Sequence, residues 1–271
     1  MDFFGKLCLL PADQSIVILI LTFGYFSIKR EAFERAFFIV AFTLAFNVFL
    51  KSIFKVPLPE AINSGGWALP SGHTQLAFVL WGWLAWEYRK WWAFGLFSVA
   101  CIAEGYGLMY FGYHEWIDLL VAIGFGIMTL VGYHFLLKLK LFLGKSLRLG
   151  GFFLIVTVSI ALSTEIPGDR NIFGMLAPGM LLLGFFVGLF LTRKLGNKLK
   201  VEGSSPSILR KRHLAIALVG IAGLVAMDVF LSNLYSKNIA KFLVYACLGI
   251  WVSYGVECVL ALIVKNFCKK S

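Results

Sequence analysis

Apolar residues in this chain neither alternate nor trace a single helical stripe; they come in unbroken runs separated by short polar or basic breaks. An α-helix needs about 17–25 apolar residues to cross roughly 30 Å of hydrocarbon. Runs approaching that length cover Ser15 to Ile28, Ala32 to Leu50, Gly72 to Tyr88, Trp91 to Phe111, Trp116 to Leu137, Leu149 to Leu162, Ile172 to Leu191, Leu214 to Leu231 and Phe242 to Val264. Within lipid only a helix or a closed barrel satisfies its own backbone, and runs this long without alternation specify helices. The pattern predicts an all-α, polytopic integral membrane bundle of about nine transmembrane helices. The stretch Met1 to Lys6 is mixed in character, and Pro11, Ala12, Asp13 and Gln14 interrupt the apolar run that follows. No cleavable signal peptide is therefore expected, and targeting falls to the first span.

Composition agrees: 60% of the 271 residues are hydrophobic and 14% charged, too apolar for the surface of a soluble domain. The net charge of +11 raises the question of nucleic acid, but the basic residues lie in the breaks between spans. If successive breaks alternate sides, all but Lys6, Lys51, Lys55, Arg170, Lys237 and Lys241 fall on one side, as the positive-inside rule describes. This predicts an outer amino terminus, a cytoplasmic C-terminus and no nucleic-acid partner. The basic flanks of the polar break Glu202 to Ser207 then read as contacts to anionic headgroups. Cys8, Cys101, Cys247, Cys258 and Cys268 show no paired spacing, so free packing thiols are expected rather than disulfides or a zinc site. Trp81, Trp83, Trp86, Trp91 and Trp92 read as an interfacial belt. Asn47, Asp228 and Glu257 are polar residues inside spans that belong to no motif, and they carry less weight.

Three clusters with chemical potential fall on the predicted outer side: Lys51 with Pro57-Leu58-Pro59, then Pro70-Ser71-Gly72-His73, then His114 with Asp118. Ser71 stands where a residue would cap the helix of the third run, leaving backbone N–H groups near Gly72 to face an anion. His73 in that first turn sits beside such an anion as a proton donor. The plain alternative is a capped helix with a histidine in the headgroup zone. His114 and Asp118 are four residues apart and meet on one face of a helix beginning near Glu115 or Trp116. A carboxylate so placed fixes the imidazole tautomer and frees the other ring nitrogen as nucleophile or base. The alternative there is an interfacial capping pair.

The order and spacing of these residues resemble the type 2 phosphatidic acid phosphatase and haloperoxidase superfamily, in its membrane lipid phosphatase branch. That family carries a lysine followed by Arg-Pro, then Pro-Ser-Gly-His, then Ser-Arg followed by His-x-x-x-Asp. Here the matching positions are Lys51 with Leu58-Pro59, Pro70 to His73, and Gly107-Leu108 followed by His114 and Asp118. The resemblance runs from about Ala32 to Leu137. It implies that His114 attacks phosphorus to form a phosphohistidine, Asp118 orients it and His73 protonates the leaving group. Lys51, Ser71 and Gly72 would hold the phosphoryl oxygens, and neither metal nor cofactor would be needed.

Leucine stands at both arginine positions of the pattern, Leu58 and Leu108. Arginine grips phosphoryl oxygens in a bidentate fork, and a dianionic monoester depends on it most. The replacement therefore favours phosphodiester cleavage or headgroup transfer, and sphingomyelin synthases likewise keep the histidines and aspartate without the arginine pattern. Lys55, one helical turn beyond Lys51, is a candidate substitute cation. Glu104, one turn before Leu108, is a candidate contact to an amine-bearing headgroup; the competing reading has it paired with a lysine or neutral in the membrane.

The expectation is a membrane-embedded phosphoesterase or phosphotransferase acting on a phospholipid or other lipid phosphoester at the outer face of a plasma or inner membrane. Residues 1–140 would form its catalytic core and 141–271 a helical annex. The alternatives are an ordinary lipid phosphomonoesterase, of phosphatidate or polyprenyl-phosphate type, and a catalytically silent lipid-binding or transport protein.

Overall fold

The structure is a computed structural model that describes residues 2–58, 67–139 and a few separate positions beyond them. The described part is helical: α1 (Asp2–Cys8), a 3-10 turn (Leu10–Ala12), α2 (Gln14–Ser27), α3 (Arg30–Phe54), α4 (Gly72–Tyr88), α5 (Trp91–Tyr110) and α6 (Trp116–Lys138). Five of the predicted runs coincide with α2 to α6; the other four, apart from a few separate positions, lie outside the described residues, as do Asp228 and Glu257. Helices α3, α5 and α6 are long and apolar enough to cross a membrane. The described elements are all helical, and their spans make this an integral membrane protein.

The first span differs from its prediction. Residues Phe3–Ala12 and Gln14–Ser27 together pass as one apolar span, bent by 49°. Pro11 breaks the helix and Asp13 restarts it, its carboxylate accepting from the N–H groups of Ser15 (3.0 Å) and Ile16 (3.1 Å). Helix α1 packs on the end of α5 so closely that a Cβ on Gly107 would lie 2.8 Å from Leu9 and 3.1 Å from Cys8. The interruption read from Pro11 to Gln14 is therefore a break at which two helical segments meet at an angle.

Short connections, Arg89–Lys90 and residues 111–115, make α4 to α6 run up and down. Arg89 closes α4 in the left-handed conformation (φ 49°), and Lys90 opens α5 directly. Helix α4 sits in the middle, against α3, α5 and α6. Its contact with α6 relies on small residues, since a Cβ on Gly126 would meet Phe78 at 2.8 Å. The main apolar core joins α2, α3 and α4 around Phe37, Phe38, Ile39 and Leu80, with Tyr133 reaching in from α6.

Basic residues mark one end of this bundle. There Glu87 at the end of α4 pairs with Arg35 (2.7 Å) and Lys29 (3.1 Å) from the start of α3. The tryptophan belt resolves into two groups: Trp86, Trp91 and Trp92 are exposed, while Trp83 is buried and donates to the Ala32 carbonyl. Trp81 donates to the Pro11 carbonyl at 3.1 Å. Both indoles, Trp83 buried and Trp81 half-buried, are anchored by tertiary hydrogen bonds that hydropathy does not register. Cys8, Cys101 and Cys247 are free thiols.

Candidate active site

At the opposite end, the last turn of α3, the first turns of α4 and α6 and the last turn of α5 converge. Helix α4 begins where Ser71 adopts an extended conformation and its Oγ accepts from the Thr74 N–H (3.4 Å) and the Thr74 hydroxyl (3.1 Å). The Ser71 side chain is wholly buried, and its own N–H donates to the Asp118 carbonyl at 3.2 Å. Ser71 is therefore occupied as a cap and as a tie to α6. The N–H groups of Gly72 and His73, which a helix leaves without intrahelical acceptors, are the donors this turn presents to an anion. The His73 side chain is exposed, and the charges of Lys51 and Asp13 reach it.

Helix α6 begins after Glu115, and the Asp118 side chain, in its first turn, is 5% exposed. Asp118 Oδ2 accepts from the Glu115 N–H at 3.1 Å and faces His114 Nδ1 at 3.1 Å. Because a carboxylate only accepts, the neutral ring must place its proton on Nδ1, leaving the Nε2 lone pair free. Burial holds the His114 imidazole below its usual value of 6.5, with Lys51 and His73 pushing the same way and the Asp118 hydrogen bond opposing. The neutral, nucleophilic form is thus favoured near neutral pH.

Lys51 lies in the last turn of α3 with its Nζ donating to the Trp67 carbonyl at 2.9 Å, and its charge acts on both histidines. An antiparallel bridge between Pro57 and Trp67, with Ala68 N–H on the Val56 carbonyl (2.8 Å), closes the base of the α3–α4 connection and holds Trp67 there. Lys55 is exposed and closes α3 in the left-handed conformation, with φ 51°. The structure thus brings Lys51, Ser71 to His73, His114 and Asp118 to one end of the bundle.

Two sequence expectations change. Glu104 is completely buried, and its Oε2 accepts from the Ala12 N–H at 3.1 Å. It fastens the bend of the first span onto α5 and, being buried, is closed to a headgroup; among the described residues no lysine pairs with it. Asn47 gains weight. It is buried, its Nδ2 donates to the Pro70 carbonyl (3.2 Å) and to Gln75 Oε1 (2.8 Å), and a Cβ on Gly72 would lie 3.0 Å from its Oδ1. Asn47 therefore positions the Pro70–Gly72 turn. Its place one turn before Lys51, on the same face of α3, was the available signal. Leu108 is buried at 2% exposure, a packing residue on α5. Leu58 is half-buried.

A helical membrane bundle that gathers an oriented imidazole, a second histidine, a lysine and the first N–H groups of a helix at one end has the donors to hold an oxyanion. The sequence matches the PAP2 superfamily over residues 34–140 and the PAP2 superfamily phosphatase, transmembrane extension over residues 177–260. The chain belongs to the PAP2 superfamily. No curated protein and no solved structure matches it.

Proposed function

We propose that the protein is a membrane-embedded phosphoesterase or phosphotransferase acting on a lipid phosphoester at the outer membrane face through a phosphohistidine on His114. The observation that carries this is the His114–Asp118 pair, tied through the Ser71 N–H to the cradle of Gly72 and His73. With Nδ1–H held by Asp118, Nε2 attacks phosphorus, and the departing ester oxygen takes its proton from His73. Water, or the hydroxyl of an acceptor lipid, then gives up its proton to His73 and attacks phosphorus, releasing His114. Lys51 and the N–H groups of Gly72 and His73 offset the charge on the non-bridging oxygens.

The cations available favour a substrate of lower charge. With Leu108 buried and Leu58 apolar, Lys51 is the principal cation on the motif, which suits a phosphodiester better than a dianionic monoester. The test is release of phosphate or headgroup by the purified protein in detergent, with phosphatidate and phosphatidylethanolamine side by side and His114→Ala as control. Turnover of the diester that needs His114 supports the reading. Dominant hydrolysis of the monoester would transfer the arginine's role to Lys55 and make the protein an ordinary lipid phosphomonoesterase. Absence of turnover would leave a lipid-binding protein.

A further inference from the structure

A cavity of about 240 Å³ opens between α3 and α6, walled by Phe42 and Phe46 on one side and Met128 and Gly132 on the other, with Val156 from the chain beyond α6 also lining it. Two polar side chains border it, and neither has a donor to spare. Thr129 Oγ1 donates to the Phe125 carbonyl at 2.8 Å, and the Tyr133 hydroxyl donates to the Arg35 carbonyl at 2.9 Å. Such a lining rejects a headgroup or an ordered water and accepts hydrocarbon. The volume exceeds the roughly 150 Å³ in which an apolar cavity holds a benzene ring, so several methylene groups fit.

The cavity lies on the two helices that bear Lys51 and Asp118. At 1.5 Å per residue, Phe42 is roughly 13 Å along α3 from Lys51, and Gly132 is roughly 21 Å along α6 from Asp118. The intervening seam is closed by rings. Phe54 meets Phe125 with centroids 5.9 Å apart, Phe125 meets Phe46 at 6.0 Å, and Phe46 stacks on Phe42 at 5.4 Å. None of these four rings is fully buried, so they pave an apolar track from the site end of the bundle down to the cavity. Gly132 keeps the lower part open, since a Cβ there would meet nothing within 4 Å.

We propose that the seam between α3 and α6 holds the hydrocarbon tail of a long-chain lipid whose phosphoester sits at His114. This inference rests on the proposed function. It makes tail length a determinant of specificity, independent of the headgroup.

Gly132→Trp fills the cavity from a position with free space, and Gly95→Trp on α5, equally open, serves as the control off the seam. The full-length protein in nanodiscs is assayed with phosphatidate and phosphatidylethanolamine, each in dioleoyl and dihexanoyl forms. Gly132→Trp is expected to lower kcat/KM for the dioleoyl lipids by about tenfold or more while sparing the dihexanoyl ones, and Gly95→Trp to change neither. Equal effects of Gly132→Trp on both chain lengths, or no effect, would overturn the tail site.

A second arm needs no turnover: phosphatidate with a diazirine in its acyl chain is photolysed with the wild type and with His114→Ala. Adducts on the peptides carrying Phe42, Phe46 and Met128 to Gly132, diminished in Gly132→Trp, support the seam. Adducts elsewhere overturn it and leave the seam to another helix of the protein. Failure of all substrates to turn over defeats the proposed function, while the adduct map still decides where the tail lies.

Discussion

Replacing Asn47 with leucine removes a two-pronged donor while roughly preserving side-chain volume. Its Nδ2 holds the Pro70 carbonyl at 3.2 Å and Gln75 Oε1 at 2.8 Å, with Asn47 6% exposed and Gln75 wholly buried. Leaving a buried acceptor without a donor costs about 1–3 kcal/mol, so losing both costs about 2–6 kcal/mol before relaxation. The lower half of that range is expected, because the Pro70 bond is long. Pro70 precedes the cap of α4, and a displacement of about 1 Å in a reacting constellation lowers rate by about 10²-fold. Asn47→Asp is expected to fall between Asn47→Leu and wild type, because Gln75 can turn its unpartnered Nε2 toward the new carboxylate while the Pro70 carbonyl stays unpaired. Thermal unfolding in detergent reads the first effect, and kcat and KM for headgroup release read the second, with kcat taking the larger loss. An Asn47→Leu protein with wild-type unfolding and wild-type kcat would refute this account of how the Pro70–Gly72 turn is placed.

Asp118→Asn should keep the helix start but disturb the tautomer of His114, lowering kcat by about 10²–10⁴-fold, measurable in the same release assay. Because burial lowers the His114 pKa from 6.5, the acid limb of kcat/KM should lie below pH 6.5, rate falling as the ring protonates. The same shift means the unfolded chain binds more protons than the folded one just below pH 6.5, so the His114 contribution to stability is intact above that pH and lost on acidification. Unfolding temperatures of wild type and His114→Gln compared across pH 5 to 7 would show it, the wild type losing more on the acid side. Leu108→Arg buries a guanidinium at a position 2% exposed, where the Glu104 carboxylate one turn back offsets only part of the desolvation cost, so it should destabilise the protein and gain no phosphatidate hydrolysis. Gain of monoesterase activity at unchanged stability would show that the site can accept that arginine.

Helices α2 to α6 were legible because each is one long apolar run, and the candidate site was legible because its residues sit at helix ends flanked by Pro, Ser and Gly. What escaped was tertiary. Pro11 and Asp13 look like the edge of a span, yet the Glu104 carboxylate and the Trp81 indole hold that bend inside the bundle. Asn47 acts through Pro70, 23 residues away, and Ser71 through Asp118; neither partner is visible in a local pattern. Glu104 looked available to a headgroup because helical spacing gives its face but not the segment that covers it.

Whether His114 carries the phosphoryl group is read by quenching the turning-over enzyme in alkali, where phosphohistidine persists, and mapping adducts by mass spectrometry. The expected result is a phosphorylated or phosphodiester adduct on the peptide containing His114, absent in His114→Ala. Turnover with no adduct there, or turnover that survives His114→Ala, would contradict it.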